Sequence, residues 1–360
     1  MTTVAWRLFR SQAVWGAGAV AVVGVVLLAT GPHLVHVYDD GLAACRNAGG
    51  AGPACINPVA DTDHLVQVVL AAVVLIAPAL VGIFWGAPLI AREFETGTFR
   101  LAWTQGVTRM RWLVVKLAVG GGASLVGGAA LGLMTTWWSA PIDAVNLNRF
   151  TPGVYQVHGV VPGGYALFAF VLGATTGVLF RRVLPAMATT LVLYVVTRAV
   201  ITFDVRPFLL PPVHLTEKVS HGNFGLSLSP SGVSVIPSAP GLPNAWVTSV
   251  SIVDKAGHTP TSAVIKQFCS GLPGLGAQPP AASGLGVGTR GGGVRVLPSG
   301  AVQQAMSRCI ANFARSYHVV VTYQPGGRFW TFQALETVAF VVISVALAAV
   351  CGWWVVRRLT

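Results

Sequence analysis

The chain has 360 residues, 54% of them hydrophobic and only 9% charged, with a formal net charge of +12. Soluble domains average roughly a quarter charged residues, so a mean hydropathy of +0.68 excludes that class. The basic excess does not point to nucleic acid, because the arginines are scattered at the ends of apolar runs rather than gathered in one patch.

Arg7 and Arg10 precede an uncharged run from Ser11 to about Pro32. That run exceeds the core of a signal peptide, which is about 7–15 residues, so an uncleaved first span is expected. About 20 apolar residues cross a bilayer as helix. On that basis six spans are expected, at 12–33, 64–88, 113–138, 162–180, 183–203 and 330–356. Short loops rich in Lys and Arg stay in the cytoplasm. Arg7 and Arg10, the 91–116 loop, Arg181-Arg182 and Arg357-Arg358 all fall on one side of a six-span layout. The expectation is a multi-pass protein of the plasma membrane with both termini cytoplasmic.

The opposite side takes residues 34–63, a short polar loop at 139–161, and a large insert rich in Gly, Pro and Ser. Within the insert, β-branched content predicts strands over Ala245–Asp254 and Tyr317–Tyr323; a helix is expected over Ala301–Ser316, and the Gly/Pro-rich stretch 271–300 reads as a long loop or a disordered arm. The fold class is therefore an all-α membrane protein with a small α+β extracytoplasmic domain between the fifth and sixth spans. Its expected parts are 1–205 and 330–360 in the membrane and 206–329 outside. Cys45, Cys55, Cys269 and Cys309 all lie on the external side, where thiols oxidise, and Cys351 lies in the last span. Four cysteines allow three connectivities, and proximity favours Cys45–Cys55 and Cys269–Cys309. Ligand spacing for a metal is lacking, so no metal site is expected.

No catalytic residues are expected. A Walker A lysine is followed by Ser or Thr, whereas Lys116, Lys218, Lys255 and Lys266 precede Leu, Val, Ala and Gln. The spans offer no nucleophile with a histidine at depth, and His158, His214, His221, His258 and His318 read as surface or packing residues. Gly120, Ser124, Gly128 and Gly132 recur every fourth residue in the third span, and Gly173 and Gly177 repeat the pattern in the fourth. Such stripes let helices approach closely, either as an intersubunit or moving seam or as ordinary bundle packing. Arg198 and Glu336 lie inside spans, where a lone charge costs about 2.5–17 kcal/mol. They are expected either to pair, or to act separately, with Arg198 snorkelling outward and Glu336 capping the last helix.

The segment Ala91–Trp112 holds Arg92, Glu93, Glu95, Arg100, Arg109 and Arg111 between two apolar runs. Its first half can continue as helix, Gly97 permits a break, and Thr108 fits an N-cap leading into the third span. Glu93, Gly97-Thr98, Leu101, Thr108-Arg109 and Lys116, in that order, resemble the first cytoplasmic loop of the permeases of ABC (ATP-binding cassette) type 2 exporters. Val107 stands where that family commonly has proline. The six-span layout matches too, and Arg328–Thr337 (RFWTFQALET) looks like large-insert actinobacterial members. The resemblance implies a permease that binds no cofactor itself and pairs as a homodimer or heterodimer. Two copies of a separate cytoplasmic ATPase, holding ATP and Mg, would dock on the loop. Glu93, Glu95, Gly97, Thr98 and Leu101 would contact the ATPase or shape the loop, and Arg109 and Lys116 would anchor it. Apolar walls suit a hydrophobic or amphipathic small molecule or a lipid. The competing expectations are a membrane-anchored receptor or scaffold acting through the external domain, and a secondary transporter.

Overall fold

The computed structural model describes residues 2–49, 64–97, 108–146, 149–229, 232–239, 241–242, 244–272, 287–288, 295–296 and 300–358. The chain divides into a helical unit, 1–210 with 326–360, and an insert unit, 211–325.

The helical unit begins with α1 (Thr2–Asn47) and α2 (His64–Leu80), which runs through a π turn at Val81–Gly86 into α3 (Ala87–Thr96). Next come α4 (Arg109–Trp138), the short α5 (Ala140–Asn146) and α6 (Pro152–Tyr155), and α7 (Val161–Phe180). Helix α8 (Val183–Val200) continues through a second π turn, Ile201–Val205, and a 3-10 turn, Arg206–Phe208. After the insert a 30-residue helix, Phe329–Arg358, completes the unit. Among the described residues six stretches are long and apolar enough to cross a membrane: Val14–Asn47, Leu65–Thr96, Arg109–Trp138, Val161–Phe180, Val183–Phe208 and Gly326–Arg357.

Helix α7 is the core of this unit. Its apolar window is 83% buried, against 11–28% for the other five. Glycine makes this possible on two sides. A Cβ on Gly120 would lie 2.2 Å from the Phe170 ring, and one on Gly128 or Gly132 would come within 2.6 Å of the Pro162 or 2.3 Å of the Gly159 carbonyl oxygen. Ser124, on the same stripe, is buried and donates to the Gly120 carbonyl at 2.8 Å. From the other side, added carbons on Gly82 and Gly86 would meet the carbonyls of Ala169 and Phe170 at 2.7 and 2.4 Å. The small-residue stripe of the third span packs against α7 and the residue Gly159 just before it, through side chains as well as backbone.

The helix ends follow local chemistry. Gly97 closes α3 at φ 71°, a left-handed cap that glycine adopts without penalty. Thr108 opens α4, its hydroxyl accepting the Arg111 N–H at 3.3 Å.

Three segments differ from the sequence expectation. Where the first span was to end at 33, α1 continues to Asn47, with Pro32 inside it. The stretch Val14–Asn47 is about 50 Å long at 1.5 Å per residue, well beyond a hydrocarbon core of about 30 Å. Packing sustains it: Leu34 is fully buried with Trp138, Ile142 and Val157, Tyr38 packs on the same cluster, and the Trp138 indole donates to Thr30 Oγ1 at 2.9 Å. The 139–161 segment is no loose polar loop, since Phe150, Tyr155, Val157 and His158 are all buried. Finally, the insert starts at Pro211 rather than 206, because Arg206 is a buried member of the helical unit.

The insert unit is α+β. Strands β1 (Val213–Lys218), β4 (Trp246–Asp254) and β7 (Tyr317–Gln324) form an antiparallel sheet in the order β1-β7-β4, with a bulge between Val247 and Ser249. Strands β2 (Phe224–Ser229) and β3 (Gly232–Pro237) form a separate hairpin, and β5 (Val287–Gly288) pairs with β6 (Arg295–Val296). Helices α9 (Ser262–Phe268) and α10 (Gly300–Ser316) supply Ile265, Ile310 and Phe313 to a core with Val319 and Val321. Helix α11 is the closing helix of the other unit, Phe329–Arg358. Cys269 and Cys309 are joined as a disulfide within this core. The other expected bond, Cys45–Cys55, rests on Cys55, which lies outside the described residues, as does most of the expected 271–300 loop.

Candidate functional site

At the end of the bundle where α8 finishes and α11 begins, the helices enclose a polar cluster. Glu336 on α11 and Arg206 are each 1% exposed. The Arg206 guanidinium is bidentate on the carboxylate, Nε donating to Oε2 at 2.8 Å and Nη2 to Oε1 at 2.9 Å. This fork-to-fork geometry is the strong form of an ion pair. The Tyr165 hydroxyl from α7 donates to the same Oε1 at 2.5 Å, and the Tyr155 ring lies 4.2 Å beneath the Arg206 guanidinium.

Arg198 sits beside this pair. Its guanidinium lies over the Tyr165 ring at 3.5 Å, Nη1 donates to the Tyr194 hydroxyl at 2.6 Å, and Nη2 donates to Gln156 Oε1. The sequence led to a pairing of Arg198 with Glu336. The structure corrects it: the partner of Glu336 is Arg206, and among the described residues Arg198 has only neutral acceptors. The cause is that helical structure continues past Val200, through the second π turn to Phe208, so Arg198, Thr202 and Arg206, four residues apart, share one inward face. Read as loop, Arg206 belonged to the insert. Read as helix, it reaches inward.

Gln333, one turn before Glu336, was not singled out in the sequence. Its Oε1 accepts the N–H groups of Val160 at 3.2 Å and Val161 at 3.1 Å, and its Nε2 donates to the Tyr155 carbonyl at 3.3 Å. It therefore satisfies orphan donors at the start of α7 and fastens that helix to α11. Phe329 and Phe332 pack edge-on to Phe150, 5.7 and 5.6 Å away, and close the cluster over. The RFWTFQALET stretch is thus the scaffold of this site.

A second buried group lies nearby. His158 Nε2 is 2.6 Å from Ser139 Oγ and 3.2 Å from Asp143 Oδ2, while Nδ1 faces the Val154 carbonyl at 2.5 Å. A hydrolytic triad uses one ring nitrogen for the nucleophile and the other for the acid. Here one nitrogen meets both, so the arrangement braces the 139–158 segment and is not built for acyl transfer.

At the opposite end of the bundle, Glu93 is ion-paired to Lys116, whose ammonium also lies 4.4 Å from the Trp112 ring centroid. Glu95 Oε1 accepts the backbone N–H of Val183, the first residue of α8, at 2.8 Å. The two acids therefore tie α3, α4 and α8 together. Arg92 and Arg111 are exposed beside them and Arg109 is half-buried, while Thr98 and Leu101 lie outside the described residues. Sequence reasoning located these acids but not their inward partners, which depend on how three helices pack.

No curated protein and no solved structure matches the chain. One family, described as ABC-2 membrane transporter related, matches residues 17–206. That span runs from within α1 through the second π turn to Arg206, and it is more than half of the sequence. This chain belongs to the ABC-2 membrane transporter related family, as a transporter membrane subunit.

Proposed function

We propose that the chain is the permease of an ATP-driven exporter, coupled to a separate ABC ATPase through the segment 91–116. Both termini lie in the cytoplasm, the insert lies outside, and the site is the plasma membrane. Two permeases, alike or different, pair with two ATPase copies that hold the ATP and Mg. The cargo is a hydrophobic or amphipathic small molecule or a lipid, consistent with largely apolar helix walls.

The observation that carries this reading is the pair of links made by Glu93 and Glu95. Through them α3, α4 and α8 form one stiff element at the end where the family resemblance puts the ATPase. A push on the 91–116 segment is then delivered to three helices at once, and α7, packed against all of them, carries it to the polar cluster.

The test is co-expression with a candidate ABC ATPase, reading co-purification and ATP turnover. Glu93→Lys is expected to lower permease-dependent turnover several-fold, and Glu93→Lys with Lys116→Glu to restore most of it. An ATPase that neither co-purifies nor changes its turnover refutes the coupling, as does a single reversal without effect.

A further inference from the structure

The two buried arginines of the polar cluster use the same edge of the guanidinium differently. On Arg206 the Nε and Nη2 edge holds both oxygens of Glu336. On Arg198 the equivalent edge holds one amide oxygen, from Gln156 on Nη2, and Nε has no hydrogen-bond partner among the described residues. Arg198 is 8% exposed and makes no ion pair with any described residue. Of the two buried guanidiniums, only that of Arg206 meets a carboxylate among the described residues, and an uncompensated charge inside a span is strongly disfavoured.

Gln156 is half-buried at the end of α6, and its amide is otherwise held by one hydrogen bond, to Thr202 Oγ1 at 3.1 Å. It is a weak, neutral stand-in on an edge whose geometry matches a carboxylate or phosphate. Arg198 lies on the buried face of α8 with Thr190 and Tyr194; Val195, within a turn of it, and Val192, Val196 and, in the following π turn, Phe203 on the outward side are each more than half exposed.

We propose that the Nε–Nη2 edge of Arg198, freed when Gln156 swings aside, binds the anionic head group of an amphiphile whose tail lies along α8. The recognised chemistry is a pair of anionic oxygens, carboxylate or phosphate, on an apolar chain. Arg206 shows on the same helix how that edge closes on such a pair. The inference concerns binding alone and does not depend on coupling to an ATPase, so the two fail separately.

The test uses the full chain purified in a maltoside detergent, titrated with dodecyl phosphate and with dodecyltrimethylammonium, which has the same tail and the opposite charge. Native mass spectrometry counts bound molecules and tryptophan fluorescence gives the affinity. Saturable binding of one dodecyl phosphate is expected, with ammonium binding at least tenfold weaker. Arg198→Gln should weaken the phosphate by tenfold or more, and Arg357→Gln at the far end of α11 should not. Gln156→Glu keeps the test sound if the arginine variant fails to fold. It places a carboxylate on the same edge and should abolish phosphate binding while raising the unfolding temperature. Competition by phosphatidylglycerol but not phosphatidylcholine assigns the site to a lipid head group, and absence of competition assigns it to a non-lipid amphiphile. Equal binding of both dodecyl compounds, or unchanged phosphate affinity in Gln156→Glu, overturns the proposal.

Discussion

Replacing Glu336 with glutamine keeps the side chain's shape and removes its charge. The Arg206 fork then faces one amide oxygen and one NH2 group, so one of its two hydrogen bonds, at 2.8 and 2.9 Å, becomes a donor-to-donor contact. Both residues are 1% exposed, and water cannot take over the lost role. Removing one partner of a buried pair costs about 3–5 kcal/mol, whereas replacing both with apolar residues of similar volume is often neutral or stabilising. Glu336→Gln is therefore expected to destabilise by about 3–5 kcal/mol, and Arg206→Met with Glu336→Leu to recover most of that loss. The assay is unfolding in mixed dodecyl sulfate and maltoside micelles followed by tryptophan fluorescence, set out as a double-mutant cycle. Recovery in the double variant requires a coupling between positions 206 and 336 at least as large as the single loss, about 3–5 kcal/mol. A smaller one is expected between 198 and 336, which touch only through Tyr165. Additive effects at 206 and 336 would refute the pairing, and with it the account of the helix continuing past Val200.

The glycines of α4 should separate sharply. Gly132→Ala puts a carbon 2.3 Å from the Gly159 carbonyl and should cost about 1–3 kcal/mol, as overpacking does. Gly122→Ala meets nothing within 4 Å and should be neutral or stabilise by up to about 1 kcal/mol through helix propensity. Thermal unfolding of both variants decides it, and equal effects would mean that α4 does not rest on α7 through this stripe. In the insert, non-reducing peptide mapping should recover a Cys269–Cys309 cross-link. Its loss in Cys309→Ser should cost up to about 4 kcal/mol by loop entropy for a sequence separation of 40. Free thiols at both positions would remove the basis for that figure.

Much of this protein is legible in the sequence because much of it is set locally. Apolar runs mark the helices that are long enough to cross a membrane, and Thr108 announces the start of α4 by the chemistry of its own hydroxyl. The strands Trp246–Asp254 and Tyr317–Gln324 and the helix Gly300–Ser316 follow from β-branched content and helical pattern within the segments themselves. Cys269 and Cys309 could be matched by proximity alone.

Partner choice was another matter. Arg206 and Gln333 carry no local mark, and Glu336 could have met either arginine. What decided was the continuation of helical structure past Val200, together with the depth at which α7 sits between two glycine-lined helices. The acids Glu93 and Glu95 were visible as charges, yet their inward turn onto Lys116 and Val183 needed three helices in place. Residues 34–47 look like a loop by charge and polarity but stay helical because Leu34 and Tyr38 find Trp138 and its neighbours. Hydropathy and capping act over a few residues and can be read in order along the chain. Which buried charge meets which depends on helix rotation and on contacts between residues more than a hundred positions apart, and only the packed bundle holds that information.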